Sequence, residues 1–267
     1  MSNGIKVKKR NGDVEKLDLD KMHLMVDEAC KDLAGVSASQ VEMTSGIQFY
    51  DGITTDEIQD ILIRSASDLI DLDHPNYQFV AARLLLFTLR KQVFKNKKGV
   101  APRLKDHIEK CAYDGHYDKQ IFEKYSIEEI DKVNSFIYHD RDMLFTYAGL
   151  RQVVDKYLVQ DRSTGDVFET PQFMYIMIAL TIFQDYPKET RLDYVKRYYN
   201  AISKHRLNIP TPIMAGVRTP LRQFASCVLV DVDDSLDSIF SSDMAIGRYV
   251  AQRAGIGINA GRIRGIN

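Results

Sequence analysis

The stretch TPLRQFASCVLVDVDDSLDSIFSS, Thr219–Ser242, sets one cysteine, Cys227, inside a run that reads as a buried β-strand, Gln223–Val232. A helix opens near Asp234, where the acid-serine pair Asp234-Ser235 before Leu236 has the composition of a helix start. A second strand-like run follows at Gly255–Ala260. Strand, helix, strand is the opening of a parallel α/β arrangement. One such unit covers neither of its faces fully, so Phe224–Val230 is expected to expose apolar surface and an unpaired edge. Strict alternation puts Cys227 on one face with Ala225 and Leu229, and Ser226 on the other. Taken alone, the thiol reads as a small hydrophobe. No histidine lies close in sequence to activate it, and the nearest, His205, precedes a proline-rich loop.

Upstream of that loop the signal is helical. From Leu104 to Lys204 a capping box at Ser126 and Glu129, and Thr170-Pro171 at the head of an apolar run, mark helix starts. A short hairpin with the turn RSTG is expected within Tyr157–Glu169. The charged segment KNKKGVAP, Lys95–Pro102, is the clearest domain boundary. Before it, Ile5 and Val7 alternate with lysines, Asn11-Gly12 signals a two-residue type I′ turn, and Val14–Leu17 return. A helix capped near Asp18 should run to about Leu33, with Met22, Met25, Val26, Ala29 and Leu33 on one face. Asp51-Gly52 should break the next helix. Thr54 and Glu57 form a capping box opening a third, and Pro75 precedes the apolar helix Phe79–Val93.

At 267 residues the chain can hold more than one core. With 45% hydrophobic and 27% charged residues and a net charge of −1, it reads as an ordinary globular protein and no general polyanion binder, so no nucleic-acid partner is expected. The 3 cysteines, Cys30, Cys111 and Cys227, are widely spaced without metal-ligand pairing, which points to a reducing, cytoplasmic setting and no metal held by the chain. No signal peptide is visible, and the most apolar stretch, Phe173–Phe183, is far shorter than the roughly 20 residues of a membrane span, so no membrane association is expected.

The segments LNIPTPIMAGVRTPLRQFASCVLVDVDDSLDSI and YVAQRAGIGINAGRIRG resemble the large (α) subunit of aerobic class I ribonucleotide reductase. YDGITTDEIQ, YQFVAARLLLFTLRK, HDRDMLFTYAG and RLDYVKRYYNAIS fit the same family, so the resemblance runs along essentially the whole chain. It implies a mainly α fold with α+β elements: an ATP-cone (a small β-sheet capping a helical bundle) at about 1–94, a helical domain at 95–220, and the first strands of a ten-stranded α/β barrel, left incomplete, at 221–267. The implied reaction is reduction of ribonucleoside diphosphates to deoxyribonucleotides. In it Cys227 is a redox-active thiol whose disulfide partner lies outside this chain, since Cys30 and Cys111 match no active cysteine of the family. Thr211, Ser226 and Gly255 match substrate-binding positions.

The resemblance also implies an allosteric activity site for ATP and dATP at Lys9, the segment Glu15, Lys16, Leu17, Asp18, Leu19, Asp20 and Lys21, then Thr55, Phe87 and Lys91. The bland reading of Lys8, Lys9 and Arg10 is a charged tip guarding a strand edge. Asp18 and Gln59 stand where well-known bacterial members carry asparagine and histidine, so weakened dATP inhibition is expected. Asp234, Ser235, Leu236 and Arg264 match a specificity site for other deoxynucleotide effectors at a large-subunit dimer interface. Implied partners are the C-terminal portion of the large subunit (a separate polypeptide if the gene is split, as in some phages), a radical-generating diiron small subunit, a second large subunit, and thioredoxin or glutaredoxin. Magnesium would accompany the nucleotides. A regulatory nucleotide-binding module without catalytic duty is the alternative, but it has no use for Cys227 or Thr211.

Overall fold

A computed structural model describes residues 4–9, 11–96, 98–222, 224–252 and 254–265. Strands β1 (Lys6–Lys8) and β2 (Val14–Lys16) pair antiparallel, Val7 opposite Glu15. Their connection is not the expected two-residue type I′ turn. It closes between Lys9 and Asp13, with an N–H···O distance of 2.7 Å, and Gly12 N–H reaches the Lys9 carbonyl at 2.9 Å. A type I′ hairpin closes with two loop residues, whereas here the last ladder pair is Lys8 with Val14, and Gly12 takes the positive φ, +90°. Asn11 instead accepts from Asp13 N–H at 3.2 Å and donates to its carboxylate at 2.6 Å. A third strand, β3 (Ile53–Thr54), runs parallel to β1 and gives the order β2-β1-β3. Gly52 N–H on the Lys6 carbonyl and Lys6 N–H on the Asp51 carboxylate, at 2.8 and 2.7 Å, fix its approach.

The buried side chains of Val7 and Ile53 join this sheet to helices α1 (Leu19–Cys30), α2 (Ala38–Gly46), α3 (Thr55–Asp68) and α4 (Tyr77–Phe94). Asp18 caps α1, which stops at Cys30, short of Leu33; Asp32 then takes a positive φ of 60° that a helix cannot continue. Likewise α2 ends at Gly46, and Asp51-Gly52 turns the chain into β3 instead of breaking a helix. The box at Thr54 and Glu57 forms in both directions: Glu57 N–H donates to Thr54 Oγ1 at 3.1 Å, and Thr54 N–H to Glu57 Oε2 at 2.8 Å. Helix α4 is apolar nearly all round, as a helix with neighbours on every side must be. It packs on α1 and α3, and on the other side on the helix Tyr147–Lys156 and the 3-10 helix His139–Leu144.

The next region holds α5 (Leu104–Tyr113), α6 (Ile121–Lys124), α7 (Ile127–Asn134), the 3-10 helix His139–Leu144, α8 (Tyr147–Lys156), α9 (Pro171–Phe183), α10 (Lys188–Ser203) and α11 (Thr211–Gly216). Helix α9 starts at Thr170-Pro171 as expected and is buried from Pro171 to Thr181, which makes it the central element. The Ser126–Glu129 box also forms, and the same Glu129 carboxylate takes the buried Arg191 guanidinium, Nε to Oε1 at 2.8 Å. The expected hairpin at Tyr157–Glu169 reduces to one antiparallel bridge, Gln160 with Val167.

The chain then forms β4 (Cys227–Asp231), α12 (Leu236–Ala251) and β5 (Gly255–Asn259), a parallel pair joined by a crossover helix, with Cys227 opposite Gly255. The run is not the buried strand that its apolar residues suggest, and the exposure expected of Phe224–Val230 is found instead. Val228 and Val230 are half-buried, whereas Cys227 is exposed and Leu229 is 89% exposed. A parallel sheet is buried only when both faces are covered, and α12 is the helix packed on this pair. The strand is also shorter than Gln223–Val232, and Gln223 itself lies outside the described residues. Among the described residues no helix is long and apolar enough to cross a membrane.

Candidate functional site

Cys227 is the exposed thiol of the three. Cys30 and Cys111 sit in α1 and α5, where burial pushes their thiols up to about 11 and about 12 and so suppresses the reactive thiolate. Beside Cys227 the partner strand carries two glycines, where an added Cβ would make ordinary contacts at Gly255 and would meet only the end of the exposed Leu229 side chain at Gly257. A Cβ at Gly255 would lie 3.4 Å from the Ser226 carbonyl oxygen and 4.0 Å from Cys227 Sγ, and one at Gly257 would lie 2.7 Å from Leu229 Cδ2. The two glycines leave the face around the thiol clear. Ser226 is exposed, and its carbonyl accepts from Gly255 N–H at 2.8 Å, which sets the register at the thiol.

Thr211 is the first residue of α11, exposed, with Oγ1 3.4 Å from the Tyr157 hydroxyl. Beneath it lies a buried ion pair that sequence patterning does not reveal. Arg218 Nε donates to both Glu169 oxygens, at 3.1 and 2.9 Å, and Nη2 bonds Glu169 again. Arg218 also donates to the carbonyls of Met214 and of Tyr157, the latter at 2.9 Å. The remaining capacity of Glu169 is filled by Val159 N–H at 2.7 Å and the Tyr117 hydroxyl at 2.7 Å. Burial pulls the Arg218 guanidinium toward neutrality, but the Glu169 charge outweighs it and holds its pKa above the ordinary value. The Arg218 carbonyl accepts from Asp118 N–H at 3.0 Å, and the Asp118 carboxylate takes Arg222 at 2.7 Å. The chain between Thr211 and the Cys227 strand is thereby tied to the helical region at both ends.

In the cone, the hairpin brings Lys9 beside Glu15, Nζ to Oε2 at 3.0 Å, and Asp18 holds Lys21 Nζ at 2.8 Å while capping α1 through Lys21 N–H at 3.1 Å. The hydrogen bond from Lys21 keeps the Asp18 carboxyl below the usual carboxylate range. Lys16 and Asp20 adjoin on β2 and the first turn of α1, Leu17 packs half-buried against the core, and Leu19 is exposed. Thr55 opens α3 next to its cap Thr54, and Phe87 and Lys91 lie one turn apart on α4, Phe87 half-buried. Gln59 joins the three helices: its amide donates to Met25 Sδ on α1 at 3.1 Å and accepts from Thr88 Oγ1 on α4 at 3.0 Å. Arg10 lies outside the described residues.

At the other end, Asp234 Oδ2 takes Arg264 Nε at 2.8 Å, and Ser235 caps α12 by accepting from Ser238 N–H at 3.2 Å. Leu236 is exposed. Sequence reading missed Arg262, which bridges Asp231 at 3.3 Å and Asp233 at 3.0 Å. Acids in DVDD and arginines in GRIRG were visible in the sequence, but that Arg262 takes both Asp231 and Asp233 while Arg264 takes Asp234 follows only from the parallel pairing of the strands that precede them. Among the described residues, no group of three or more His, Cys, Asp or Glu is arranged to hold a metal ion.

Residues 5–92 match the ATP cone domain family, 143–222 the all-alpha domain of ribonucleotide reductase, and 225–267 its barrel domain. An ATP cone, a ribonucleotide reductase all-alpha domain and the beginning of a ribonucleotide reductase barrel domain thus follow one another along the chain. More particularly, the chain is homologous to the N-terminal part of ribonucleoside-diphosphate reductase alpha subunits. It is 52% identical over 266 residues to ribonucleoside-diphosphate reductase 1 subunit alpha of Salmonella typhimurium and to that of Escherichia coli, covering 100% of this chain and 35% of each relative. It is 45% identical over 263 residues to the alpha subunit of Enterobacteria phage T4, covering 97% of this chain and 34% of that one. The chain thus spans about a third of the length of these relatives.

Proposed function

We propose that the chain supplies the activity-sensing cone, the helical domain and the opening of the catalytic barrel of a ribonucleoside-diphosphate reductase, over about 1–94, 95–220 and 221–267. The observation that carries this reading is Cys227: an exposed thiol on a glycine-cleared face, in a segment matching the reductase barrel and on the same chain as a cone. In the assembled enzyme the substrate 2′-hydroxyl leaves as water and hydrogen takes its place. Two thiols, Cys227 and one from the remaining two thirds of the subunit, give up two electrons and become a disulfide. Thioredoxin or glutaredoxin restores them. A small subunit with a diiron centre supplies the radical, and the large subunits pair through the α12 region. Thr211, Ser226 and Gly255 line the substrate. ATP or dATP, with magnesium, occupies the cone at Lys9, Glu15–Lys21, Thr55, Phe87 and Lys91, and other deoxynucleotides bind at Asp234, Ser235, Leu236 and Arg264. The compartment is the cytoplasm. The remainder of the subunit is the same polypeptide continued or a separate one.

The test is to capture the tagged chain from its native lysate, identify what accompanies it, and assay CDP reduction after adding a matched small subunit. The expected result is reduction by an eluate that contains the remaining barrel cysteines, in this polypeptide or a second one. An eluate that holds those cysteines, binds ATP and reduces nothing would leave only the regulatory reading.

The cone carries its own prediction. Two of the lysines expected to supply charge at phosphate are paired with carboxylates of the same site, Lys9 with Glu15 and Lys21 with Asp18. A nucleotide must break these pairs and meet the acids. Asp18→Asn keeps a good helix cap while removing one negative charge and freeing Lys21. It should tighten dATP binding roughly two- to fivefold, the scale of one exposed charge contact. Calorimetric titration showing unchanged or weaker binding would refute this.

A further inference from the structure

The Tyr157 hydroxyl stands 3.4 Å from Thr211 Oγ1. Two hydroxyls that bind each other well sit at about 2.7–2.8 Å, so this pair is poorly satisfied by itself. The spacing suits two donors that share one acceptor, because two O–H···O arms of about 2.7 Å span it comfortably. Thr211 is exposed and Tyr157 half-buried, so both hydroxyls are open to a ligand from solvent.

The tyrosine is also held in place. It is the C-cap of α8, its N–H bonds the Val153 carbonyl at 2.9 Å, and its own carbonyl takes Arg218 Nη2 at 2.9 Å. Arg218 and its partner Glu169 have fully buried side chains, and Arg218 also binds the Met214 carbonyl of α11, the helix that Thr211 begins. One buried ion pair therefore holds the backbone of Tyr157 and that of α11 against each other, which limits how far the two hydroxyls can separate before any ligand arrives.

We propose that Tyr157 is a substrate-binding residue, a second hydroxyl that donates beside Thr211 to one phosphate oxygen of the nucleoside diphosphate. The inference rests on reading Thr211 as the diphosphate contact. Neutral hydroxyls bind a phosphate without supplying its counter-charge, so Tyr157 adds one hydrogen bond that the substrate keeps throughout the reaction, and its loss is read in KM.

Tyr157→Phe removes the hydroxyl and leaves the carbonyl, the α8 cap and the Arg218–Glu169 pair intact. In the complete large subunit with its small subunit, this variant should raise KM for CDP about three- to tenfold, the loss of one hydrogen bond, with kcat within about twofold and an unchanged unfolding midpoint. Thr211→Val should raise KM at least as much. If Thr211→Val raises KM and Tyr157→Phe does not, the tyrosine is not a phosphate donor and this inference falls alone. If neither changes KM, the Thr211 reading falls with it. A Tyr157→Phe variant with a lowered unfolding midpoint and unaltered KM would show a purely structural residue and would also overturn the proposal.

Discussion

Cys227→Ser should abolish CDP reduction by the assembled enzyme, a loss of at least about a thousandfold, while dATP binding to the cone and the unfolding midpoint stay as in the parent. A serine hydroxyl fills nearly the same space, yet it cannot surrender an electron with its proton and then close an S–S bond. The two-electron reduction of the 2′ carbon then has only one thiol to draw on. Folding should be indifferent, because the side chain is exposed on the open face of β4 and the neighbouring glycines leave it unpacked; such substitutions stay within about 0.5 kcal/mol. The cone core around Val7, Val26, Ile53 and Leu62 lies in separate elements, so effector binding is an internal control for intact protein. Retained reduction in the serine variant would remove Cys227 from the chemistry and, with it, the main support for the reductase reading of this segment.

What could be read from the sequence was local. Both capping boxes, the Thr170-Pro171 helix start and the Asp18 cap involve residues within a few positions of each other, and all form. The strand-helix-strand order of β4, α12 and β5 was legible for the same reason: the period of the apolar residues changes along the chain. The misses have one physical root, which is that long-range partners decide them. β3 has two residues and exists because Ile53 packs beside Val7, a pairing that no local window contains. The Asn11-Gly12 turn was misread because the Asn11 side chain bonds Asp13 and the hairpin closes only between Lys9 and Asp13, a longer connection than the dipeptide signals. Cys227 was expected in a buried strand because alternation finds two faces without saying whether anything covers them. At the candidate site, Cys227 and Gly255 were legible as a pair of flanking motifs, whereas Arg218 and Glu169, 49 positions apart, gave no periodic or spacing signal.

That buried pair should show the largest stability effect in the chain. Glu169→Gln is expected to cost about 3–5 kcal/mol, the cost of leaving a buried charge uncompensated, and to lower the unfolding midpoint of the helical region by roughly 10 °C. The carboxylate is an acceptor on both oxygens: Val159 N–H, Tyr117 O–H and the Arg218 guanidinium all point at it. An amide of the same shape sets an NH2 donor against one of these donors, so it loses a hydrogen bond as well as the charge. Arg218 cannot escape by deprotonating, since a guanidinium keeps its proton at any working pH. The double variant Glu169→Gln with Arg218→Met leaves no buried charge uncompensated, so in calorimetry it should recover part of the loss, the remainder being the hydrogen bonds that the amide and the two carbonyls no longer make. It should not recover function to the same degree, because the donors that hold the Met214 and Tyr157 carbonyls are gone and Thr211 and Tyr157 lose their common support. A single Glu169→Gln variant that melts within about 2 °C of the parent would mean the pair is not what ties α11 to the helical region. A double variant with partly restored melting and a parental KM for CDP would mean that the geometry at Thr211 is set elsewhere.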